Sequence, residues 1–151
     1  DGNDLICGAE ELYGDTDVAD LSDPRVWASV PIAPGGLHAF GDGLAALTIP
    51  TLILGGTADD VCPWETEQIA MHTGIAAAEN HIAGLVDAGH FSFTQMCPIV
   101  QDFNGCEEDA MDLERAWDLT DTLTLSLLGL ALGHEEARSW LELDAADIVR
   151  P

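Results

Sequence analysis

A chain of 151 residues is one domain's length, and a hydrophobic content of 47% is enough for a packed core, which excludes an intrinsically disordered chain. Against 28 Asp and Glu stand four basic residues, all arginine (Arg25, Arg115, Arg138 and Arg150), for a formal net charge of −24. A surface of that sign repels nucleic-acid phosphates and anionic lipid headgroups, so neither is an expected partner, and it is also the surface of a protein adapted to high salt.

The sequence opens at Asp1-Gly2-Asn3-Asp4 with no methionine and no basic-then-apolar leader, which reads either as a processed N-terminus or as a start within a longer protein. Residues 1–24 carry Gly2, Gly8 and Gly14 among scattered acids and read as an N-terminal loop region, with residues 25–151 as the folded portion. Three short apolar runs follow, at 26–33, 51–54 and 81–86. Each is rich in branched residues and bounded by Gly, Asp or Pro, which predicts buried strands. Between the last two, Pro63 followed by Glu65 and Glu67 starts a predicted helix running to Glu79.

A second helix is predicted from Glu107-Glu108-Asp109 through Arg115 and Trp117 into Leu123–Leu132, a stretch apolar nearly all round and expected to be packed into a core. It is too short and too interrupted for the roughly 20 apolar residues of a membrane span. Gly133 ends it, Glu135–Leu143 reads as a last short helix, and Ile148–Pro151 as an ordinary terminus. Strand, strand, helix, strand, helix is α/β order, predicting a parallel sheet with helices on both faces. Three strands are few for so apolar a terminal helix, so further strands are expected from elsewhere.

Two turns carry the chemistry. Gly55-Gly56-Thr57-Ala58-Asp59-Asp60 follows the run at 51–54, and Asp87-Ala88-Gly89-His90 follows the run at 81–86. Both lie at the carboxyl ends of predicted strands, where α/β sheets keep their sites. Asp59 and His90 are 31 positions apart, room for one helix and one strand, so adjacent parallel strands would bring them together. A carboxylate bonded to one imidazole nitrogen fixes the tautomer and leaves the other nitrogen to act as a base.

With Asp23-Pro24-Arg25-Val26 leading to Ala33-Pro34-Gly35-Gly36, then Gly56-Thr57-Ala58-Asp59 with Pro63, then Ala88-Gly89-His90-Phe91-Ser92-Phe93, the chain resembles the α/β-hydrolases. Within them it is similar to bacterial esterases of the dienelactone-hydrolase and platelet-activating-factor-acetylhydrolase type. The resemblance covers residues 20–143 and the C-terminal half of such a fold. It implies Asp59 as the triad acid and His90 as the triad base, in the family's order of nucleophile, acid, histidine. It implies no cofactor.

The sequence departs from the family at the nucleophile. No Gly-x-Ser-x-Gly is present, because Ser22, Ser29, Ser92, Ser126 and Ser139 all lack the flanking glycines. The resemblance therefore implies the C-terminal chain of a two-chain serine esterase or lipase acting on small-molecule carboxylic esters. A separate N-terminal chain would complete the fold and carry the serine. The alternative is a non-catalytic interaction subunit or a truncated hydrolase fragment.

Several residues compete for these roles. Asp59 also suits the N-cap of the helix near Pro63, and Asp60 is one step closer to it. His38, His72, His81 and His134 lack glycine framing, and no pair has zinc-ligand spacing. The acidic run 15–23 lacks the glycine and terminal glutamate of a calcium loop. Cys7, Cys62, Cys97 and Cys106 allow three pairings. Cys97 with Cys106 would staple the loop behind the His90 turn, leaving Cys7 for Cys62 or for a partner chain. Disulfides predict a secreted or periplasmic protein. Cys7 precedes the acid, as a nucleophile would, but Leu5-Ile6-Cys7-Gly8-Ala9 has only one of the two glycines. Trp27, Trp64, Trp117 and Trp140 read as packing residues.

Overall fold

The computed structural model describes residues 23–151. The reading of 1–24 as a loop region therefore lies almost wholly outside the described residues, as does Cys7. At the centre is β1 (Thr51–Gly56), buried along its whole length, as a strand covered on both faces must be. It pairs in parallel with β2 (Asn80–Leu85), with Ile53 opposite Ile82 and Leu54 opposite Ala83.

The sheet is mixed, a correction to the all-parallel expectation. Residues 148–149, read from sequence as an ordinary terminus, form β3 (Ile148–Val149), which runs antiparallel to the end of β2. Residues 26–33 do not form a continuous strand. They touch β1 through two single parallel bridges, Ser29 to Thr51 and Ile32 to Leu54. Pro31 is the reason: it faces β1 and accepts from Leu54 N at 3.0 Å, but it has no N–H to return, so the ladder breaks there. On their other side, Val30 and Ile32 have no backbone hydrogen bond to any described residue.

The helix expected over 63–79 is shorter and wider at its start. Trp64–Gln68 form one π-helical turn and continue as α1 (Ile69–Gly74). Gly74 ends it, since glycine is a poor helix former, and the Asn80 side chain donates to the carbonyls of His72 and Ile75 left over at that end. The long helix α2 (Leu113–Ala131) begins six residues later than expected. Asp112 caps it by accepting from Arg115 N at 2.9 Å, and the acidic stretch before it is a turn. The last helix is a single 3-10 turn followed by α3 (Arg138–Leu141).

Two apolar layers sandwich the sheet. Leu52, Leu54, Ala83 and Leu85 pack against Leu119, Leu123, Leu127 and Leu130 of α2 and Leu141 of α3. On the opposite face Ile53 and Ile82 meet Trp64, Met71 and Ile75, with Leu37 and Leu44 from short 3-10 turns closing over them. The alternation along β1 is the period-2 geometry of a strand. The expectation that α2 is buried all round needs correction. Its buried residues recur at helical spacing on one face, while Leu125 is 68% exposed and Leu132, just past its end, 66%. The described sheet covers only one side of it.

Candidate active site

The acid turn starts where β1 ends. Asp59 turns the chain with its own carboxylate: Oδ1 accepts from Val61 N at 2.9 Å and Cys62 N at 2.8 Å. This is a turn role and not the helix-capping one weighed from sequence, since the helix is preceded by Pro63 and has no side-chain cap. The other oxygen is left to point across the sheet end.

His90 arrives on the turn after β2. Its Nδ1 lies 3.0 Å from Asp59 Oδ2, which also accepts from Gln68 Nε2 at 3.2 Å. The Asp59 side chain is fully buried and that of His90 is one-fifth exposed. A buried carboxylate on Nδ1 is met best by an N–H there, which places the lone pair on Nε2. That nitrogen has no hydrogen bond to any described residue. It is Asp59, not Asp60, that reaches the imidazole; the Asp60 backbone N–H turns instead toward Asn104. The two residues named from the sequence, Asp59 and His90, are therefore brought together.

The His90 turn is held from behind by a loop that sequence reading credited only with its disulfide. Cys97 and Cys106 are bonded, one of the pairings that the sequence left open. Within the closed loop, Asn104 Oδ1 accepts from His90 N at 2.7 Å and from Asp60 N at 3.3 Å, while its Nδ2 donates to Ala58 O at 2.9 Å. Gly89 and Gly105 meet backbone to backbone. A Cβ on Gly89 would lie 2.4 Å from Gly105 N, and Gly105 has φ +91°, so neither position accepts a side chain. The Ser92 hydroxyl accepts from Gly89 N at 3.0 Å and donates to Gly105 O at 3.1 Å. From the other side, Trp117 Nε1 of α2 donates to Ser92 O at 3.1 Å.

Asn104, Gln68 and Trp117 escaped sequence reading as site residues. For Asn104 the one available signal was an Asn-Gly pair inside a loop stapled beside the histidine turn.

The remaining candidates lie elsewhere. His72 Nε2 is 3.4 Å from Asn80 O, His81 pairs with Glu79 at 2.9 Å, and His134 Nδ1 lies 3.5 Å from Glu136. None of these contacts involves Asp59. Cys62 is buried beneath the acid turn, and its pairing with Cys7 falls outside the described residues. Of the acidic run 15–23 only Asp23 is described, and Arg25 beside it holds its carboxyl below the usual carboxylate range. Trp64 lies in the core, whereas Trp27 and Trp140 are about half exposed. Ser92 is fully buried with its hydroxyl committed, and no described serine bonds His90 Nε2. No protein-family model matches the chain, and no curated protein matches it.

Proposed function

We propose that Asp59 and His90 are the acid and base of a serine carboxylic-ester hydrolase whose nucleophile is supplied by a polypeptide segment outside this sequence. The observation that carries the reading is the 3.0 Å bond between His90 Nδ1 and a fully buried Asp59, with no described residue bonded to Nε2. A hydroxyl placed on Nε2 gives up its proton to it as oxygen attacks the ester carbonyl. The imidazolium formed is stabilised by Asp59 and returns the proton to the leaving alkoxide; water then repeats the cycle on the acyl-enzyme. The resemblance of the two turns to those of α/β-hydrolases supports the same assignment.

The outer side of Val30 and Ile32, which bonds no described residue, supports a strand docking there from the N-terminal chain of the hydrolase. Val26, Trp27 and Ile32, each more than 40% exposed, border that edge. The strong negative charge disfavours anionic substrates, leaving neutral small-molecule esters as the class. The disulfide supports an exported protein, secreted or periplasmic.

The test is labelling of the purified natural protein with a fluorophosphonate probe, with the labelled peptide sequenced. The expected result is a labelled serine outside these 151 residues, with labelling lost on His90→Ala. Absence of labelling, together with ester hydrolysis unaffected by His90→Ala, overturns the reading.

A further inference from the structure

The side chain of Asn104 makes its three hydrogen bonds to three backbone groups, and these belong to the two turns of the site: His90 N on one, Ala58 O and Asp60 N on the other. Only a carboxamide satisfies that set. Its oxygen has two acceptor positions for the two N–H groups, and its nitrogen has the donor that a carbonyl requires. Asp59 and His90 are carried by different strand ends, and backbone bonds join the two turns at their base, Thr57 N to Leu85 O and Ala58 N to Ala88 O, each at 3.0 Å. Asn104 adds a tie at the backbone of His90 itself and of Asp60, the neighbour of Asp59.

The loop presenting Asn104 is itself fixed at two points. The Asn104 carbonyl accepts from Phe91 N at 2.9 Å, and the Phe103 ring lies 4.6 Å from that of Phe91. The Cys97–Cys106 bond then closes the ten-residue stretch into a ring. Opening that ring restores conformational freedom to a segment without helix or strand, at the place where the Asn104 carboxamide must be held.

Resting on the assignment of Asp59 and His90 proposed above, we infer that Asn104 is a positioning residue which sets the His90 imidazole on Asp59, and that the Cys97–Cys106 disulfide holds it in register. Alignment of the pair then depends on an oxidising milieu. The reductive step is ordinary thiol–disulfide exchange. A dithiol gives two electrons and two protons to the Cys97 and Cys106 sulfurs, the S–S bond breaks to two thiols, and the reductant closes to its own cyclic disulfide.

The experiment reads solvent exchange of the His90 Nδ1 proton by NMR of the natural, isotopically labelled protein, alongside kcat and KM for a neutral ester. The resonance is assigned by its loss in Asp59→Asn. In Asn104→Ala the exchange rate rises about tenfold or more, and kcat falls about 10- to 100-fold with little change in KM, the signature of misplacement without loss of substrate contact. Dithiol treatment of the unaltered protein reproduces both changes and adds little to Asn104→Ala. The Cys97→Ser/Cys106→Ser double variant does the same without reductant, which separates this bridge from other cysteine chemistry and serves if Asn104→Ala does not fold. Asn104→Asp, which keeps an acceptor for His90 N, recovers part of the proton's protection.

Exchange unchanged in both Asn104→Ala and the double variant overturns the inference, as does full additivity of reduction with Asn104→Ala. A proton that responds to Asn104 in a protein that turns over no ester leaves the positioning role standing and removes the hydrolase reading instead.

Discussion

Gln68 donates through Nε2 to Asp59 Oδ2 over 3.2 Å, onto the same oxygen that meets His90 Nδ1, and to Cys62 O over 2.7 Å. Gln68 is fully buried, so the acid is held by a neutral donor with no water to replace it. Gln68→Glu puts a second carboxylate against Asp59. Like charges at that distance raise the proton affinity of the pair, so the acid limb of the pH–rate profile moves up by about one unit or more. Gln68→Leu leaves Cys62 O unpaired and costs about 1–3 kcal/mol in a urea titration, with the acid limb in place. Coincident pH profiles for Gln68→Glu and the parent protein exclude this role.

Asp59 has two duties that one pair of substitutions separates. Asn at this position retains an acceptor for Val61 N and Cys62 N but faces His90 with the wrong group, so activity falls by about 10⁴-fold while the melting temperature stays close to the parent's. Asp59→Ala loses the turn as well, and destabilises by about 1–3 kcal/mol. Calorimetry of the two variants beside their kinetics distinguishes the outcomes; equal stability losses would refute the division.

The two faces of α2 should respond oppositely to substitution. Leu127→Ala, at a fully buried site against the sheet, costs about 2–5 kcal/mol. Leu125→Gln, on the exposed face, changes stability by about 0.5 kcal/mol or less. Urea unfolding of both variants checks this, and a large loss at Leu125 would mean that the helix is covered on its outer side in the natural assembly.

Acid weakens the protein at two ion pairs that tie distant segments. Arg138 first, then His81, hold Glu79 below its ordinary carboxyl range, and Arg115 does the same for Asp147, which leads into β3. A lowered folded-state value means that the unfolded chain takes up protons first. Each pair's contribution is therefore complete above the ordinary carboxyl range and lost as pH falls through the folded value. Arg115→Met should make stability less dependent on pH below about 4, with a loss at neutral pH of about 1 kcal/mol or less, since the pair is partly exposed. Unfolding curves from pH 7 to 2 provide the check.

Salt acts in the other direction on the molecule as a whole. Raising ionic strength from about 0.1 to 1 M shortens the screening length from roughly 10 to 3 Å. With a formal charge of −24, relief of self-repulsion outweighs the loss of a few surface pairs, and the melting temperature rises by several degrees, about 1 kcal/mol at this size. A flat or falling melting temperature across a sodium chloride series contradicts it.

The parts legible in the sequence were those written in local signals. Asp59 and His90 sit on glycine-framed turns directly after apolar runs, so their convergence followed from the alternation of elements. Cys97 and Cys106 bracketed a loop that a local bond would staple, although three pairings stayed open until the structure showed this one. The rest depends on contacts that no neighbouring residue announces. Asn104 reaches Asp60 from 44 positions away, and Gln68 looks like any polar residue on a helix until its burial is seen. Two residues pairing antiparallel leave too short a pattern to mark β3, and Pro31 breaks a strand whose hydrophobicity promised continuity. The outer leucines of α2 defeat a hydropathy reading because nothing in the sequence tells which side the sheet occupies.

The brevity of β3 settles how this sheet can grow. It covers only Gly84 and Leu85 of β2, and near the other end of that strand stand Glu79, Arg138 and His81, a charged group ill suited to accepting a foreign backbone. Lateral addition by another chain is thus discouraged at this margin, whereas across the sheet the outer backbone of Val30 and Ile32 bonds no described residue, so the two margins differ in what they offer a further strand.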